Sequence, residues 1–305
     1  MIALPRRAAC EAAGGAQMAS ETHLNIPADV PAQVGAALRE DVGSGDVTAA
    51  LVPADERVRA EVVTREDAVI CGVPWVAETF RQLDPRMALA WSVRDGERAP
   101  AGAVVLRLEG LARPLLTGER TALNFLQLLS ATATETRRFV EAVAGTGCAI
   151  LDTRKTLPGL RTAQKYAVRC GGARNHRMGL HDMVLVKENH IAAAGSIGAA
   201  VSAARRVATG IPVEVEVESL AELEEALGAR ADIVMLDDFG LPDMRTAVAR
   251  VRALGSPVKL EASGSVSLET VRAIAATGVD FISVGALTKH VRAIDLSMRL
   301  RFAHG

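Results

Sequence analysis

After Gly147 the chain settles into a repeat that few folds accommodate. Six short apolar runs, CAILD (148–152), MVLVK (183–187), VEVEV (213–217), IVMLD (233–237), VKLEAS (258–263) and FISVG (281–285), punctuate the rest of the sequence. Helical stretches separate the later ones: SIGAAVSAARRVA, SLAELEEALG, LPDMRTAVARVRAL and SLETVRAIAATG. Strand alternating with helix implies a parallel sheet with right-handed crossovers. The apolar content, 49% of 305 residues with only 3% aromatic, comes from the Ala, Val, Leu and Ile that fill such sheets. Six units fall short of the eight of a complete barrel, so an open, incomplete β/α barrel is predicted. An open doubly wound sheet is the structural rival, and the runs do not decide between them.

The part before this repeat is irregular. PAQVGAALREDV is helical in pattern, RVRAEVVTREDAVICGV contains strand-like stretches, and PWVAETFRQL is amphipathic. MALAWSVRDGERAPAGAVVLRLEG resembles two strands around a Gly/Pro turn. Strands and helices without strict alternation predict a small α+β domain. A long helical run from Thr117 to Val143, with Arg120 in its first turns, leads to the stop at Gly145 and Gly147.

Bulk properties exclude several classes. A net charge of -1 leaves no global attraction to nucleic acid or anionic membranes. No apolar run approaches the roughly 18 residues of a membrane span. Cys10, Cys71, Cys148 and Cys170 are scattered without metal-ligand spacing, which predicts reduced thiols in a cytoplasm. Residues 1–22 lack the apolar core of a signal peptide and read as a disordered extension, with Met18 as an alternative start to Met1.

Parallel α/β proteins collect their chemistry at the carboxyl ends of the strands. Those ends here read Asp152-Thr153-Arg154-Lys155, Lys187-Glu188-Asn189-His190, Glu216, Asp237-Asp238, Ser263-Gly264-Ser265 and Val284-Gly285-Ala286. Between Arg154 and Lys187 lie eight Lys and Arg against one carboxylate, Asp182, a local charge of +7. A solvated helix face accounts for Arg161, Lys165 and Arg169. Arg154, Lys155 and Lys187 flank strands at the rim and imply a polyanionic substrate, since guanidinium forks pair with carboxylates and phosphates. The two Gly turns offer backbone N–H groups to a phosphate. Glu216 and Asp237 end consecutive strands, where they could hold Mg²⁺, contact ribose hydroxyls, balance nearby cations or form a structural ion pair.

These residues also match a family. DTRKTLPGLR, QKYAVRCGG and NHRMGLHDMVLVKENH resemble the signature of quinolinate phosphoribosyltransferase, and the similarity continues through EDVGSGDVT (40–48), TGERTALNFLQLLS (117–130), VEVEVESLAE, VMLDDF and LEASG. The resemblance covers the chain from about residue 25 to the end. It implies an N-terminal sandwich domain over 23–130 and an open barrel over 131–305, whose last residues return to the N-terminal domain. It further implies a cytoplasmic homodimer or higher oligomer that makes nicotinate mononucleotide from quinolinate and phosphoribosyl pyrophosphate. Arg120, Arg154, His176, Arg177 and Lys187 would bind the quinolinate carboxylates and neighbouring anionic groups, Arg120 reaching in from the partner subunit. Lys155, Glu216 and Asp237 would serve phosphoribosyl pyrophosphate and its Mg²⁺ as the catalytic set, beside Thr153. Residues Ser263, Gly264, Ser265, Val284, Gly285 and Ala286 would cradle the 5′-phosphate. One departure is Lys289, where many family members carry His.

Three rivals frame this reading. A molybdenum-transport-associated homologue shares the phosphoribosyltransferase framework, although NHRMGL and VKENH favour the quinolinate enzyme. A barrel aldolase with Lys187 or Lys155 as Schiff base leaves the surplus Arg unexplained. A regulatory anion-binding protein without catalysis would not require Lys155, Glu216 and Asp237 together.

Overall fold

The computed structural model describes residues 24–302; the expected disordered extension over 1–22, the choice between Met1 and Met18, and Cys10 lie outside the described residues. The N-terminal region runs α1 (Val30–Val42), β1 (Arg57–Thr64), β2 (Ala68–Val69), α2 (Val73–Leu83), β3 (Ala88–Trp91), β4 (Arg98–Ala99), β5 (Val104–Leu111) and α3 (Ala112–Ala142). The rest runs β6 (Ala149–Leu151), α4 (Arg161–Cys170), β7 (Val184–Val186), α5 (Glu188–Ala194), α6 (Ile197–Val207), β8 (Val213–Val217), α7 (Leu220–Gly228) and β9 (Ile233–Asp237). It ends with α8 (Leu241–Ala253), β10 (Lys259–Ser263), α9 (Leu268–Ala275), β11 (Phe281–Ser283), α10 (Ala286–Lys289) and β12 (Leu296–Phe302).

Each of the six apolar runs contains a strand, and together they form one parallel sheet in the order β6-β11-β10-β9-β8-β7. A doubly wound sheet reverses its strand order at a switch point. Here β7 to β11 follow one another in one direction, and the first strand joins the last, as in a curled sheet. The curl stays open between β6 and β7, where the 174 backbone makes a lone parallel bridge to Leu151. The fold is thus α/β with an open barrel.

Strand alternation sorts the side chains. Val213, Val215, Val217, Val234, Leu236, Leu260, Ala262 and Ile282 pack outward into the core beneath the helices. Glu214, Glu216, Met235, Asp237, Glu261, Ser263 and Ser283 occupy the alternate positions and turn to the inside of the curl. The polar side of these strands therefore faces the site, which the continuous apolar reading of the runs obscures.

In the N-terminal region the antiparallel order β12-β1-β5-β3 forms a four-stranded sheet. Its last-made strand, β12, is supplied by the far end of the chain and pairs with β1 from Val58↔Phe302 to Thr64↔Leu296. The helix expected from Thr117 begins at Ala112, directly after β5, and its 31 residues pass without a break from one core to the other. Pro114 does not stop it, because the first turn needs no backbone N–H donor. At the junction Tyr166 donates to Asp95 (2.7 Å), and the thiols of Cys71 and Cys170 lie beside the same carboxylate. Burial pushes the Cys71 thiol far above its ordinary value, so it stays protonated.

Candidate active site

The loop after β6 and the segment before β7 meet at the mouth of the curl, and a buried ion pair fixes them. Lys165 and Asp152 are 1% and 0% exposed and pair directly. Lys165 also donates to the His176 carbonyl (3.0 Å), while Asp152 accepts from the His176 backbone N–H (2.9 Å) and from Asn175. This corrects the placement of Lys165 on a solvated face: its α4 position turns inward, and its ammonium sits where the loop carbonyls and Asp152 converge. Arg161 is half-buried, donating to the Met178 carbonyl (3.2 Å). The knot ties residues 175 and 176 to Asp152 at the end of β6 and to α4.

Arg154 and Arg177 stand over it with no ion pair among the described residues, although the Glu214 and Asp182 charges act on Arg177. Burial and the Arg154 charge push Arg177 below its usual value, which places two guanidiniums close together. Arg154 Nε is buried and has no hydrogen-bond partner. Arg177 donates to the Met183 carbonyl at 3.3 Å, a neutral acceptor. Two like charges held together in a half-buried cleft are complementary to an anion with more than one charged group.

Further round the rim, Lys187 pairs with Glu216 Oε2. Glu216 sits opposite Met235 in register, so Asp237, two residues on, shares its inward face. Asp237 has no hydrogen bond or ion pair among the described residues. Oxygen donors of this kind suit Mg²⁺, which takes few protein carboxylates and completes its shell with water and phosphate. The residues present therefore fit such an ion, with one oxygen of Glu216 engaged by Lys187.

The ends of β9, β10 and β11 bring backbone rather than charge. Asp238, Gly264 and Ser265 have φ of 51°, 103° and 41°. A Cβ on Gly264 would sit 1.9 Å from Asp238 Oδ1, so any other residue forces the turn or the Asp238 side chain to shift. Left-handed backbone concentrated at a strand rim is a feature of ligand-binding loops. At the next rim Lys155 lies across Gly285: a Cβ there would meet Lys155 Cδ at 3.1 Å and Thr153 Oγ1 at 3.7 Å. Thr288 secures that contact by donating to the Lys155 carbonyl (2.9 Å). The structure thus brings Thr153, Lys155 and the 284–286 turn together. Lys289 is exposed just beyond.

Two expected site residues lie off the open rim. His176 turns both ring nitrogens inward: Nδ1 accepts the Arg177 backbone N–H (2.8 Å), and Nε2 lies 2.9 Å from Glu214 Oε2. The ring is buried, with Nε2 turned toward the inside of the curl rather than the open rim. Arg120 is exposed on α3, among residues that pack on the N-terminal core. Glu135, further along the same helix, pairs with Arg138 at 2.7 Å. Residues missed by inspection of strand ends are Asp152's partner Lys165, and Glu214, Glu261 and Ser283 inside the curl. The period of two in VEVEV, which puts Glu214 on the same face as Glu216, was the available signal.

Fold and rim together define an open-barrel α/β enzyme whose mouth is built to hold anions. Residues 46–130 match the quinolinate phosphoribosyl transferase N-terminal domain, and residues 132–299 match the C-terminal domain. The chain is 45% identical over 269 residues to a nicotinate-nucleotide pyrophosphorylase (carboxylating) of Mycobacterium leprae, covering 87% of this chain and 94% of that one. It is 44% identical over 264 residues to a probable nicotinate-nucleotide pyrophosphorylase (carboxylating) of Synechocystis, covering 86% and 90%. The solved nicotinate-nucleotide pyrophosphorylase of Francisella tularensis is similar with a TM-score of 0.87 and 47% identity, over 91% of this chain and 98% of that one. The chain belongs to the quinolinate phosphoribosyl transferase family.

Proposed function

We propose that this protein transfers the phosphoribosyl group of phosphoribosyl pyrophosphate to quinolinate, releasing pyrophosphate and CO₂ and forming nicotinate mononucleotide. The observation that carries the reading is the unmatched Arg154–Arg177 pair, a fit for the adjacent carboxylates of quinolinate. Names of the curated relatives favour this substrate over that of the molybdenum-transport-associated alternative.

Arg154 and Arg177 hold the ring by its carboxylates and orient the pyridine nitrogen. Lys155, beside Thr153 and the 284–286 turn, attends the phosphate end, with Ser263, Gly264 and Ser265 offering backbone N–H groups from the neighbouring rim. The nitrogen attacks C1 of the ribose as pyrophosphate departs, so no side-chain nucleophile is required. Fixed cations stabilise the charge that develops on the leaving group, and holding both substrates in line supplies the remainder of the rate. Glu216 and Asp237 would hold Mg²⁺, which when bound offsets diphosphate charge. In the pyridinium formed, the carboxylate beside N⁺ leaves as CO₂; its electron pair stays on the ring carbon, which then takes a proton from water.

Arg120 supports a homodimer, or higher oligomer, in which the site is shared. Exposed and unpaired on the N-terminal side of α3, it is available to a second subunit's barrel. Arg120→Ala and Lys155→Ala homodimers should each be nearly inactive, and exchanged heterodimers should regain activity; confirmed exchange without recovery removes the shared site. Free Cys71, Cys148 and Cys170 support a reducing compartment such as the cytoplasm. Among the described residues no helix is long and apolar enough to cross a membrane.

The deciding experiment follows CO₂ and pyrophosphate together with quinolinate, and again with nicotinate. Release of both products from quinolinate, with nicotinate a very poor substrate, is expected. Absence of quinolinate-dependent release defeats the assignment.

A further inference from the structure

Beneath Arg177 the inside of the curl holds three polar side chains that the reaction so far leaves unused. Glu214 on β8 and Glu261 on β10 are fully buried, and His176 is nearly so. Their ligand atoms all lie within 4.8 Å of one another. His176 Nε2 is 2.9 Å from Glu214 Oε2 and 3.5 Å from Glu261 Oε2, although out of line for a good N–H hydrogen bond. Ser283 donates to Glu261 Oε1. Both oxygens of Glu214, and Glu261 Oε2, lack any other hydrogen bond. Two carboxylates this close and this dry cannot both be ionised, so the cluster must hold a cation or a proton.

A histidine with two carboxylates has the composition of a metal site, but its tautomer is wrong. The Arg177 backbone N–H points at Nδ1 (2.8 Å), so in the neutral ring the hydrogen sits on Nε2, where a metal would have to bind. Metal-bound histidines donate from their second nitrogen rather than accept there. A proton fits the same cluster without conflict.

We propose that Glu261 and Glu214 are positioning residues of the reaction: they grip His176 from the barrel strands so that its Nδ1 fixes the Arg177 amide and aims that guanidinium at a quinolinate carboxylate. The inference rests on the assignment of Arg177 to quinolinate given above. The geometry has two halves. The Asp152–Lys165 knot fixes the backbone N–H and carbonyl of His176. The ring then carries that order one residue further, to the peptide N–H of Arg177, with the Glu214 and Glu261 carboxyls beside its Nε2. Burial, with the Glu214 charge as second cause, pushes the Glu261 carboxyl up to about 8, and His176 is raised against its burial by the same carboxylates, so the cluster retains a proton at neutral pH. Glutamine is the neutral isostere of that acid and should replace it; leucine should not, because it leaves the buried polar atoms of Glu214, His176 and Ser283 facing an apolar side chain.

The test compares wild type with Glu261→Gln and Glu261→Leu, measuring melting temperature, KM for each substrate, and quinolinate binding by calorimetry. Leaving one buried polar partner unmatched should raise the quinolinate KM and Kd about tenfold or more in Glu261→Leu, with KM for phosphoribosyl pyrophosphate within about twofold. Glu261→Gln should stay close to wild type in both. Folded Glu261→Leu with an unmoved quinolinate KM overturns the role, as does an equal rise in both KM values, or a Gln variant as impaired as Leu. If Leu prevents folding, Glu261→Asp decides: it withdraws the carboxyl by one methylene, and an unchanged quinolinate KM overturns the role. Wild-type turnover in the same assay keeps the two readings apart. Its absence defeats the proposed function, whereas normal turnover with unmoved variants defeats the positioning role alone.

Discussion

Two cationic sites lie within one short stretch of this chain, and they are opposite in kind. Around Lys165 every charge is answered: Asp152 pairs with it, and the His176 carbonyl, the His176 N–H and Asn175 complete the set. Around Arg154 and Arg177 the charges repel, and a buried guanidinium nitrogen has no partner. The first arrangement is finished within the chain and serves folding. The second is finished only by something brought from outside. Composition alone ranks these residues equally, because all three are cations in the same +7 segment.

The sharpest way to break this contrast is Lys165→Met. It strands Asp152 as a buried unpaired carboxylate, which should cost about 3–5 kcal/mol in urea unfolding. A variant as stable as wild type would mean that the pair is not the organising contact. Arg177→Ala should do the reverse. Loss of a carboxylate partner should lower kcat/KM for quinolinate by about 2–4 kcal/mol, on the order of a hundredfold. The melting temperature should hold or rise, since a like-charge contact is relieved. Steady-state kinetics beside a thermal scan reads both halves, and a fall in stability would place Arg177 with Lys165.

Gly264→Ala probes the backbone side of the same rim. Its φ of 103° and the 1.9 Å approach to Asp238 Oδ1 force a local shift, with strain of about 1–3 kcal/mol. KM for phosphoribosyl pyrophosphate should rise more than KM for quinolinate; the opposite order would detach this turn from the phosphate. The last test concerns pH. Glu261 has an ordinary value of 4.5 and is pushed up to about 8 in the fold by burial, beside Glu214, His176 and Ser283. Between those values the unfolded chain gives up a proton that the folded chain keeps, so stability falls as pH rises from about 4.5 to about 8 and levels off above. Glu261→Gln should remove this slope. Parallel melting curves for the two proteins across that range would show the group to be silent.

Much of the fold was legible. Alternating apolar runs and helical stretches needed only local periodicity to be recognised, and each run holds a strand. The 112–142 helix was seen but started five residues late, because Pro114 reads as a stop unless it falls in the first turn. The site was legible as a set of strand ends: Arg154, Lys155, Lys187, Glu216 and Asp237 all lie along the mouth of the curl. Lys165 was misplaced for one reason. Whether a polar side chain faces water, substrate or a buried partner depends on what another segment places opposite it.

The sequence by itself determined the parallel α/β class, the six strands of the parallel sheet, the rim that carries the cations and the family resemblance, because these follow from short-range pattern and from long ordered motifs. Only the tertiary structure decided that β6 joins β11 in the curled sheet, and that the returning last residues form β12 in antiparallel register beside β1. It alone separated the matched lysine from the unmatched arginines, and gathered His176, Glu214 and Glu261 from three segments into one dry cluster. Strand order and charge pairing are contacts between residues far apart in the chain, and burial in a low dielectric makes each of them a matter of a few ångströms.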